Sequence, residues 1–337
     1  DAQYYIEDVR KNVIETLSYD KVYKQGFNIN TPIDLKLQSI ATKSLRDGLV
    51  LYDQRKGWRG PLTNKKNDLN WNNNLERFNL ENSLKWKLAI VKQLNKFSAI
   101  IETQDKVDGI IKYEDISWTK KEFNQLLKIG DIIYVKKIQD NVYSLKQLPK
   151  VNGGIVVMDP YTGRVLALSG GFSFKESEFN RATQAKRQPG SAFKPFVYIT
   201  ALKEGYNPST LILDAPYVVD QGPGLPKWKP ANYTEEFYGL TTMRTGIEKS
   251  RNLMTVRLAN NIGIEKIIST VEDFGIVDGI NSNLSMALGS GVVTLLNLTN
   301  SYGIIANGGK EISPTIIKSI YSKKGNQIFN STQKKCL

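Results

Sequence analysis

The pattern of apolar and polar residues predicts helices at the start of the chain. Apolar side chains recur at helical spacing in two stretches: Ile6, Val9, Val13 and Leu17, and then Leu37, Ile40, Ala41, Leu45 and Leu49. A short strand is predicted between them, ending near Thr31-Pro32, and Asp34 is a candidate N-cap of the second helix. We therefore expect residues 1–25 to form a connector and residues 26–57 to open a larger domain.

From Trp58 onward the pattern changes to short strands. A polar, Asn-rich stretch leads into candidate strands at "KLAIVKQL", "FSAIIETQ", "DGIIKYEDI", "DIIYVKKI" and "VYSLKQL", which turn residues separate at short intervals. Such spacing is typical of a small β-barrel or sandwich. The sequence therefore predicts a small all-β domain over residues 58–150.

Beyond Val151 strands give way to helices. The segment "GGIVVMDPYTGRVLALSGG" predicts a hairpin. Helical segments follow at "AFKPFVYITALKEG", "TTMRTGIEKSRNLMTVRLANNIG", "GIEKIISTVEDFG" and "TLLNLTNSYGIIANGG", and "PTIIKSIYSKKGNQIFN" predicts a final hairpin. We expect residues 151–337 to belong to an α/β (α+β) domain that carries the all-β part as an insert.

Composition narrows the possible chemistry. The 337 residues include no His and one Cys, Cys336. This excludes a Ser-His-Asp triad, an H-E-x-x-H zinc helix and an internal disulfide. A nucleophilic serine would need lysine, a carboxylate or tyrosine as its base. No apolar run approaches about 18 residues, so we expect that the chain does not span a membrane and that any anchor precedes residue 1.

The net charge of +13 permits an anionic partner such as nucleic acid, a membrane face or an acidic polymer. The lysines are spread along the chain rather than clustered. That distribution favours a solvated basic surface over a dedicated anion site.

The first candidate motif is the S-x-x-K formed by Ser191 and Lys194. The same spacing occurs at Ser18/Lys21, Ser117/Lys120 and Ser331/Lys334, where chance explains it. Only at Ser191 does a Pro-Gly turn deliver the serine to the start of an apolar helix, where the macrodipole favours an alkoxide. Residues i and i+3 share a helix face, so a neutral Lys194 could take the serine proton. The alternative is an N-cap serine beside a solvated lysine.

The second candidate is Ser250-Arg251-Asn252, an S-x-N in or next to a helical segment. A hydroxyl there could relay a proton, and an amide could hold a substrate and the lysine. The alternative is that Ser250 and Asn252 satisfy backbone groups at a helix end.

Together the two motifs resemble the S-x-x-K, S-x-N and K-T-G signature of serine penicillin-recognising enzymes. Their surroundings resemble class A, the bifunctional penicillin-binding proteins, in "FNRATQAKRQPGSAFKPFVYITAL", "WKPANY", "TTMRTGIEKSRN" and "ALGSGVVTLLNLTNSYGIIANGG". In addition, "NINTPIDLKLQ" is similar to the start of the transpeptidase domain, and "GWRGPL" through "LKQLPKVNGG" is similar to the OB-like insert. The resemblance covers nearly the whole chain.

The resemblance implies a penicillin-recognising transpeptidase fold and a peptidoglycan D,D-transpeptidase acting on the D-Ala-D-Ala end of stem peptides. It implies that Ser191 attacks the penultimate D-Ala carbonyl, that Lys194 is the base, that Ser250 relays the proton and that Asn252 anchors substrate and lysine. β-Lactams would acylate the same serine as substrate mimics.

Further expectations also come from the resemblance alone. Trp228, Asn232 and Tyr233 match a family stretch beside the cleft and are predicted to bind substrate. No metal or other cofactor and no nucleic acid is implied. The parent protein would lie on the periplasmic side of the inner membrane, held by an anchor that this chain lacks.

Two departures from the family stand out. We find neither a membrane helix nor an acidic motif for glycan transfer, and no K-[TS]-G follows Asn252. Arg244-Thr245-Gly246 precedes Ser250 in a helical segment, whereas the family's K-T-G lies on a strand after S-x-N. The ending "STQKKCL" also looks unlike the family. We therefore expect a C-terminally incomplete transpeptidase domain with impaired acylation.

Two alternatives stay open from the sequence. In a chain of charge +13, an OB-like barrel could stack nucleic acid bases on its aromatic residues, the candidates being Trp86, Tyr113, Trp118 and Tyr134. This hypothesis leaves both serine motifs unexplained, and aromatic residues also pack barrel cores. The other alternative is an inactive truncated fragment or scaffold.

Overall fold

The structure is a computed structural model that describes residues 2–66, 70–219, 224, 226–276 and 282–331. Cys336 and the rest of the tail after Ser331 lie outside the described residues. The helices are α1 Gln3–Leu17, α2 Tyr19–Gln25, α3 Leu35–Gln54, α4 Phe123–Leu126, α5 Lys194–Lys203, α6 Met243–Glu248, α7 Asn252–Ile262, α8 Ile264–Asp273 and α9 Leu295–Ala306. The strands are β1 Phe27–Asn30, β2 Thr63–Asn64, β3 Trp86–Leu94, β4 Ser98–Thr103, β5 Asp108–Lys112, β6 Asp131–Gln139, β7 Val142–Lys146, β8 Ile155–Met158, β9 Val165–Ser169, β10 Leu211–Asp214, β11 Gly239–Thr242, β12 Ser319–Ser322 and β13 Gln327–Asn330.

The predicted elements form at the expected places, with three differences. The segment "DGIIKYEDI" is a strand only as far as Lys112 and then becomes a 3-10 turn, Tyr113–Thr119, which buries Ile116. The helical segment 241–263 splits into α6 and α7 at Ser250, whose φ of +53° is incompatible with a right-handed helix. The pairing of β10 with β11 was not predicted, because neither strand alternates clearly.

The chain divides into two compact units. The first comprises the described residues within 1–7, 35–155 and 168–180. Its main sheet has the strand order β2-β6-β3-β4-β5-β7, and a second pairing of β6 with β7 closes it into a small barrel. The closure follows from antiparallel pairing of β6 with both β3 and β7, together with a parallel contact between β5 and β7.

Three of the four aromatic residues proposed to stack bases pack within this barrel unit. Tyr134 is buried and donates its hydroxyl to the Phe78 carbonyl. Trp86 contacts the rings of Tyr134 and Phe172, and Trp118 packs edge-on against Trp58. Tyr113 is 42% exposed. Most of these rings therefore stabilise the barrel rather than offer a stacking surface.

The second unit comprises the described residues within 8–34, 156–167 and 181–337. Its sheet has the order β1-β12-β13, so a strand near the start of the chain pairs with the final hairpin. Beside the short β10–β11 pair, α5, α7 and α8 share one apolar core, which includes Phe196, Leu258 and Ile267. This core fixes the two helices that carry the predicted motifs.

Within the described residues, no helix has the length and apolar character that crossing a membrane requires. Across the same residues, no cluster of His, Cys, Asp and Glu could hold a metal ion.

Candidate active site

The predicted nucleophile lies in a tight 3-10 turn, Gly190–Phe193, that leads directly into α5. The turn is clamped by a second segment. Arg187 and Val293 exchange both backbone hydrogen bonds at 3.0 Å, and Gly289 lies so close that a Cβ there would fall 2.2 Å from the Gly190 carbonyl oxygen. Gly289 also has a φ of +74°, so this contact requires glycine on two grounds. The clamp fixes the position of Ser191.

Helix α5 is anchored by apolar side chains immediately after the nucleophile. Phe193 and Phe196 are buried in the core, and Pro195 falls in the first turn, where its missing N–H costs nothing. The Tyr302 hydroxyl donates to the Ala192 carbonyl at 2.8 Å. Ser191 itself is exposed, and within the described part of the chain its hydroxyl has no hydrogen-bond partner. It is therefore open to an incoming substrate.

Lys194 is buried, with an exposure of only 2%, and it has no carboxylate partner among the residues that the structure describes. Its Nζ donates to the Ser250 carbonyl oxygen at 2.6 Å, to Ser250 Oγ at 3.0 Å and to Asn252 Oδ1 at 2.6 Å. Burial lowers the pKa of Lys194 to about 8. Roughly a tenth of the lysine is therefore neutral at pH 7, and the fraction grows as the pH rises.

The three partners of Lys194 suit a proton-accepting amine. A neutral amine keeps two N–H donors, which match the Ser250 carbonyl and the Asn252 amide oxygen. Its lone pair can then face only a group that has a hydrogen to donate. Among these partners, that group is the Ser250 hydroxyl. The arrangement thus allows a proton to move between Lys194 and Ser250.

Ser250 occupies an unusual backbone conformation between α6 and α7. Its φ of +53° lies in the left-handed region, which costs a non-glycine residue about 1–3 kcal/mol. The bend turns both the carbonyl and the hydroxyl of Ser250 toward Lys194. Such strain is typical of functional sites, where the surrounding structure enforces it.

The start of α7 is held by Asn232 rather than by its own N-cap residue. Arg251 provides no side-chain cap, whereas Asn232 Oδ1 accepts hydrogen bonds from the backbone N–H groups of Asn252 at 2.9 Å and Leu253 at 3.3 Å. Asn252 Nδ2 in turn donates to the Ala231 carbonyl at 2.8 Å. This leaves Asn252 Oδ1 directed at Lys194.

The structure brings together four of the seven predicted site residues, since Lys194, Ser250, Asn252 and Asn232 form one hydrogen-bonded cluster. Trp228 pairs through its backbone with Val219, and Tyr233 is fully exposed. Asn232 is 4% exposed and its amide is bound to protein groups, so direct contact with a substrate would require rearrangement. Its role in substrate binding stays a prediction.

The competing motifs lie elsewhere. The Ser117 hydroxyl donates to the Glu114 carbonyl within a turn of the barrel unit, and Ser18 joins α1 to α2. Lys334 is outside the described residues. Arg244-Thr245-Gly246 lies in the first turn of α6, where Thr242 accepts from the Thr245 N–H as an N-cap.

Sequence reasoning missed three contributors to the site, Gly289, Tyr302 and the buried Asp214 beside Asn232. Their partners are distant in the chain. A Gly in "LGSG" was the only local signal of a tight turn.

Comparison with known proteins identifies the family. Residues 153–336 match the penicillin binding protein transpeptidase domain, and residues 58–151 match the penicillin-binding protein OB-like domain. The chain belongs to the penicillin-binding protein transpeptidase family.

Its relatives are named as one type within that family. Penicillin-binding protein 1A of Rickettsia prowazekii is 43% identical over 340 residues, covering 99% of this chain and 43% of that protein. The Pseudomonas aeruginosa protein of the same name is 33% identical, covering 98% and 42%. The crystal structure of penicillin-binding protein 1A from Haemophilus influenzae superimposes with a TM-score of 0.88 at 30% identity, covering 98% of this chain and 50% of that chain. The chain thus spans less than half the length of the curated relatives it matches.

These similarities confirm the predicted class A family, the transpeptidase fold and the presence of an OB-like domain. They favour neither the nucleic-acid-binding hypothesis nor the scaffold hypothesis. The individual site residues and the exact domain limits stay predictions.

Proposed function

We propose that this chain carries the serine D,D-transpeptidase activity that cross-links peptidoglycan stem peptides, with β-lactams as acylating mimics. The observation that carries the proposal is Lys194, three residues after the exposed Ser191, which is buried with no carboxylate partner among the described residues and is hydrogen-bonded to Ser250 and Asn252. A lysine of lowered pKa next to a serine is a nucleophile–base pair. The family match supports this chemistry.

In the proposed acylation, Ser191 Oγ attacks the penultimate D-Ala carbonyl and its proton passes to Lys194. The tetrahedral intermediate then collapses, the peptide C–N bond breaks, and the proton reaches the leaving amine through the Ser250 hydroxyl. Free D-Ala departs and the peptide stays on Ser191 as an ester. An amine from a second stem peptide resolves the ester as a cross-link, whereas water resolves it as a carboxypeptidase product.

Asn252 is proposed to anchor both the lysine and the substrate, and Trp228 and Tyr233 are proposed to line the cleft. The proposed domain boundaries are those expected from the sequence: residues 1–25 form a connector, residues 26–57 and 151–337 form the transpeptidase domain, and residues 58–150 form the OB-like domain. The whole protein is proposed to work on the periplasmic side of the inner membrane, because its relatives are named penicillin-binding protein 1A.

The direct test is incubation with a labelled penicillin, followed by intact mass and peptide mapping. We expect one adduct, on Ser191, that is lost in Ser191→Ala and kept in the matched control Ser117→Ala. An adduct that maps to Ser18, Ser117 or Ser331 would contradict the assignment.

A finer proposal concerns the K-T-G element. In the family this strand supplies an oxyanion-hole N–H and a cation near the lysine, and loss of one oxyanion donor costs about 10²–10³ in rate. No such motif follows Asn252 in the 337 residues. We therefore expect this polypeptide to label at least about 10²-fold more slowly than one extended through a K-T-G strand. Equal labelling rates would show that another segment supplies those groups.

A further inference from the structure

Asp214, at the end of β10, is the most deeply buried carboxylate near the candidate site, with no measurable exposure. Its Oδ1 accepts a hydrogen bond from Asn232 Nδ2 at 2.8 Å. Its Oδ2 lies 4.0 Å from Arg251 Nε, and neither atom has a hydrogen-bond partner among the described residues. Burying a carboxylate with so few partners is costly and is weak evidence of a purely stabilising role.

The hydrogen bonds around Asn232 permit only one orientation of its amide. Nδ2 donates to Asp214 and to the Glu236 carbonyl at 2.9 Å, so both groups on that side are acceptors. On the other side, Oδ1 faces the backbone N–H groups of Asn252 and Leu253, which are both donors. A flipped amide would put donor against donor and acceptor against acceptor. Asp214 is thus one of the acceptors that make Asn232 present its oxygen to α7.

We propose that Asp214 is a positioning residue for the acylation site. It orients the Asn232 amide, which caps α7, and α7 in turn places Asn252 Oδ1 on Lys194. Asp214 touches neither the substrate nor Lys194 in this scheme. It acts through Asn232, and because it is the last residue of β10 it connects that strand to α7 and so to Lys194.

Arg251 provides a second connection from Asp214 to the same motif. Its guanidinium stacks on the Tyr238 ring, with 3.3 Å between the guanidinium carbon and the ring centroid, and it faces Asp214. Arg251 is the middle residue of Ser250-Arg251-Asn252, so Asp214 restrains the segment through Arg251 as well as Asn232. The left-handed conformation of Ser250 needs such outside restraint.

The test exchanges the two partners. In Asn232→Asp, a carboxylate faces the Asp214 carboxylate, and repulsion pulls residue 232 away from α7. In the double variant Asp214→Asn with Asn232→Asp, the new amide donates to the new carboxylate, whose other oxygen still accepts from α7. Net charge equals that of the parent. The Glu236 carbonyl then meets an oxygen, so recovery is partial.

Asn307→Asp is the matched control. Asn307 is 8% exposed, its Nδ2 donates to the Pro160 and Lys310 carbonyls, and its Oδ1 accepts from the Lys310 N–H. It therefore uses its amide as Asn232 does, in the same unit, but without a carboxylate neighbour among these contacts. It reports the cost of a buried charge alone.

Two measurements are made on the full chain: the penicillin labelling rate, and hydrogen exchange at the Asn252 and Leu253 amides. We expect Asn232→Asp to slow labelling about 10²-fold, since small misplacements cost that much, and to speed exchange at both amides. The exchanged pair should recover at least about tenfold of the labelling rate and restore amide protection, and Asn307→Asp should change neither.

The inference is overturned if Asn232→Asp behaves like Asn307→Asp, or if the exchanged pair is no better than Asn232→Asp. If Asn232→Asp alone does not fold, the double variant still tests the proposal. A folded double variant with protected Asn252 and Leu253 amides requires a donor at residue 214 that faces an acceptor at residue 232. Of the two measurements, only the labelling rate depends on the proposed function. A parent chain that never labels would overturn the proposed function, and hydrogen exchange would still test Asp214.

Discussion

Two buried arginines of the first unit and the buried lysine of the candidate active site have different kinds of partner. In the first unit, Arg46 pairs with Glu81, and Arg59 donates to Asp53 at 2.9 Å. In the second unit, Lys194 is buried more completely than either arginine, and its hydrogen-bond partners among the described residues are all neutral oxygens. Arginine with a carboxylate keeps its charge, whereas lysine among neutral dipoles can lose it.

The difference distinguishes a cation that holds the fold together from one that can take part in proton transfer. Asp53 accepts from Arg59, from Gln147 Nε2 and from the Lys150 N–H, so the pair holds several segments of the first unit together. Lys194 also joins two helices, but through partners that allow deprotonation. Burial lowers the pKa of Lys194 to about 8, and no carboxylate among its partners opposes that shift.

The largest effect is expected when Lys194 is replaced by a residue that cannot lose its proton. Lys194→Arg keeps the charge but removes the dissociable proton, so we expect penicillin labelling to fall about 10²–10⁴-fold, the range for loss of a general base. The control is Lys203→Arg on the same helix, where the side chain is 56% exposed. A labelling rate near that of the parent would mean that Lys194 acts only as a charge.

The second prediction gives Lys194 the kind of partner that the arginines have. Asn252→Asp places a carboxylate beside Nζ, and an adjacent opposite charge raises the pKa by about 1–3 units. Labelling at pH 7 should then slow by about 10–10³-fold and recover at higher pH. A slow variant whose pH profile keeps the parent midpoint would argue against this electrostatic explanation.

The third prediction concerns the pH dependence of the parent. The base must be neutral, and burial lowers the pKa of Lys194 to about 8. The neutral fraction therefore grows as pH rises through that value. We expect the labelling rate to rise about tenfold between pH 7 and pH 9 and then level off. Stopped-flow or quenched labelling across this range tests it, and a flat profile would remove Lys194 as the base.

The smallest effect on chemistry is expected from breaking the structural pair. Asp53→Asn leaves Arg59 with a weaker partner, and an underpaired buried polar group costs about 1–3 kcal/mol of unfolding free energy. Urea unfolding should show this loss, while the pH midpoint of labelling stays unchanged. A shifted pH midpoint would contradict the view that the Arg59–Asp53 pair contributes to stability alone.

Much of the local structure follows from the sequence. The barrel strands are short runs between turn residues, the helices carry apolar faces, and Pro189-Gly190 marks the turn before Ser191. Each of these patterns is local in the sequence. The absence of histidine restricted the base to lysine, a carboxylate or tyrosine, and motif spacing selected Lys194 and the Ser250–Asn252 segment. The family resemblance was also present in contiguous stretches of sequence.

Only the tertiary structure decided how those motifs meet. Lys194 and Asn252 are 58 residues apart, Asn232 and Asp214 are 18 apart, and β1 joins β12 across almost the whole chain. Burial of Lys194, the left-handed turn at Ser250 and the amide polarity of Asn232 each depend on such distant partners. A sequence specifies which residues are able to ionise or donate, but the pKa and the direction of a hydrogen bond arise from neighbours that only folding brings together.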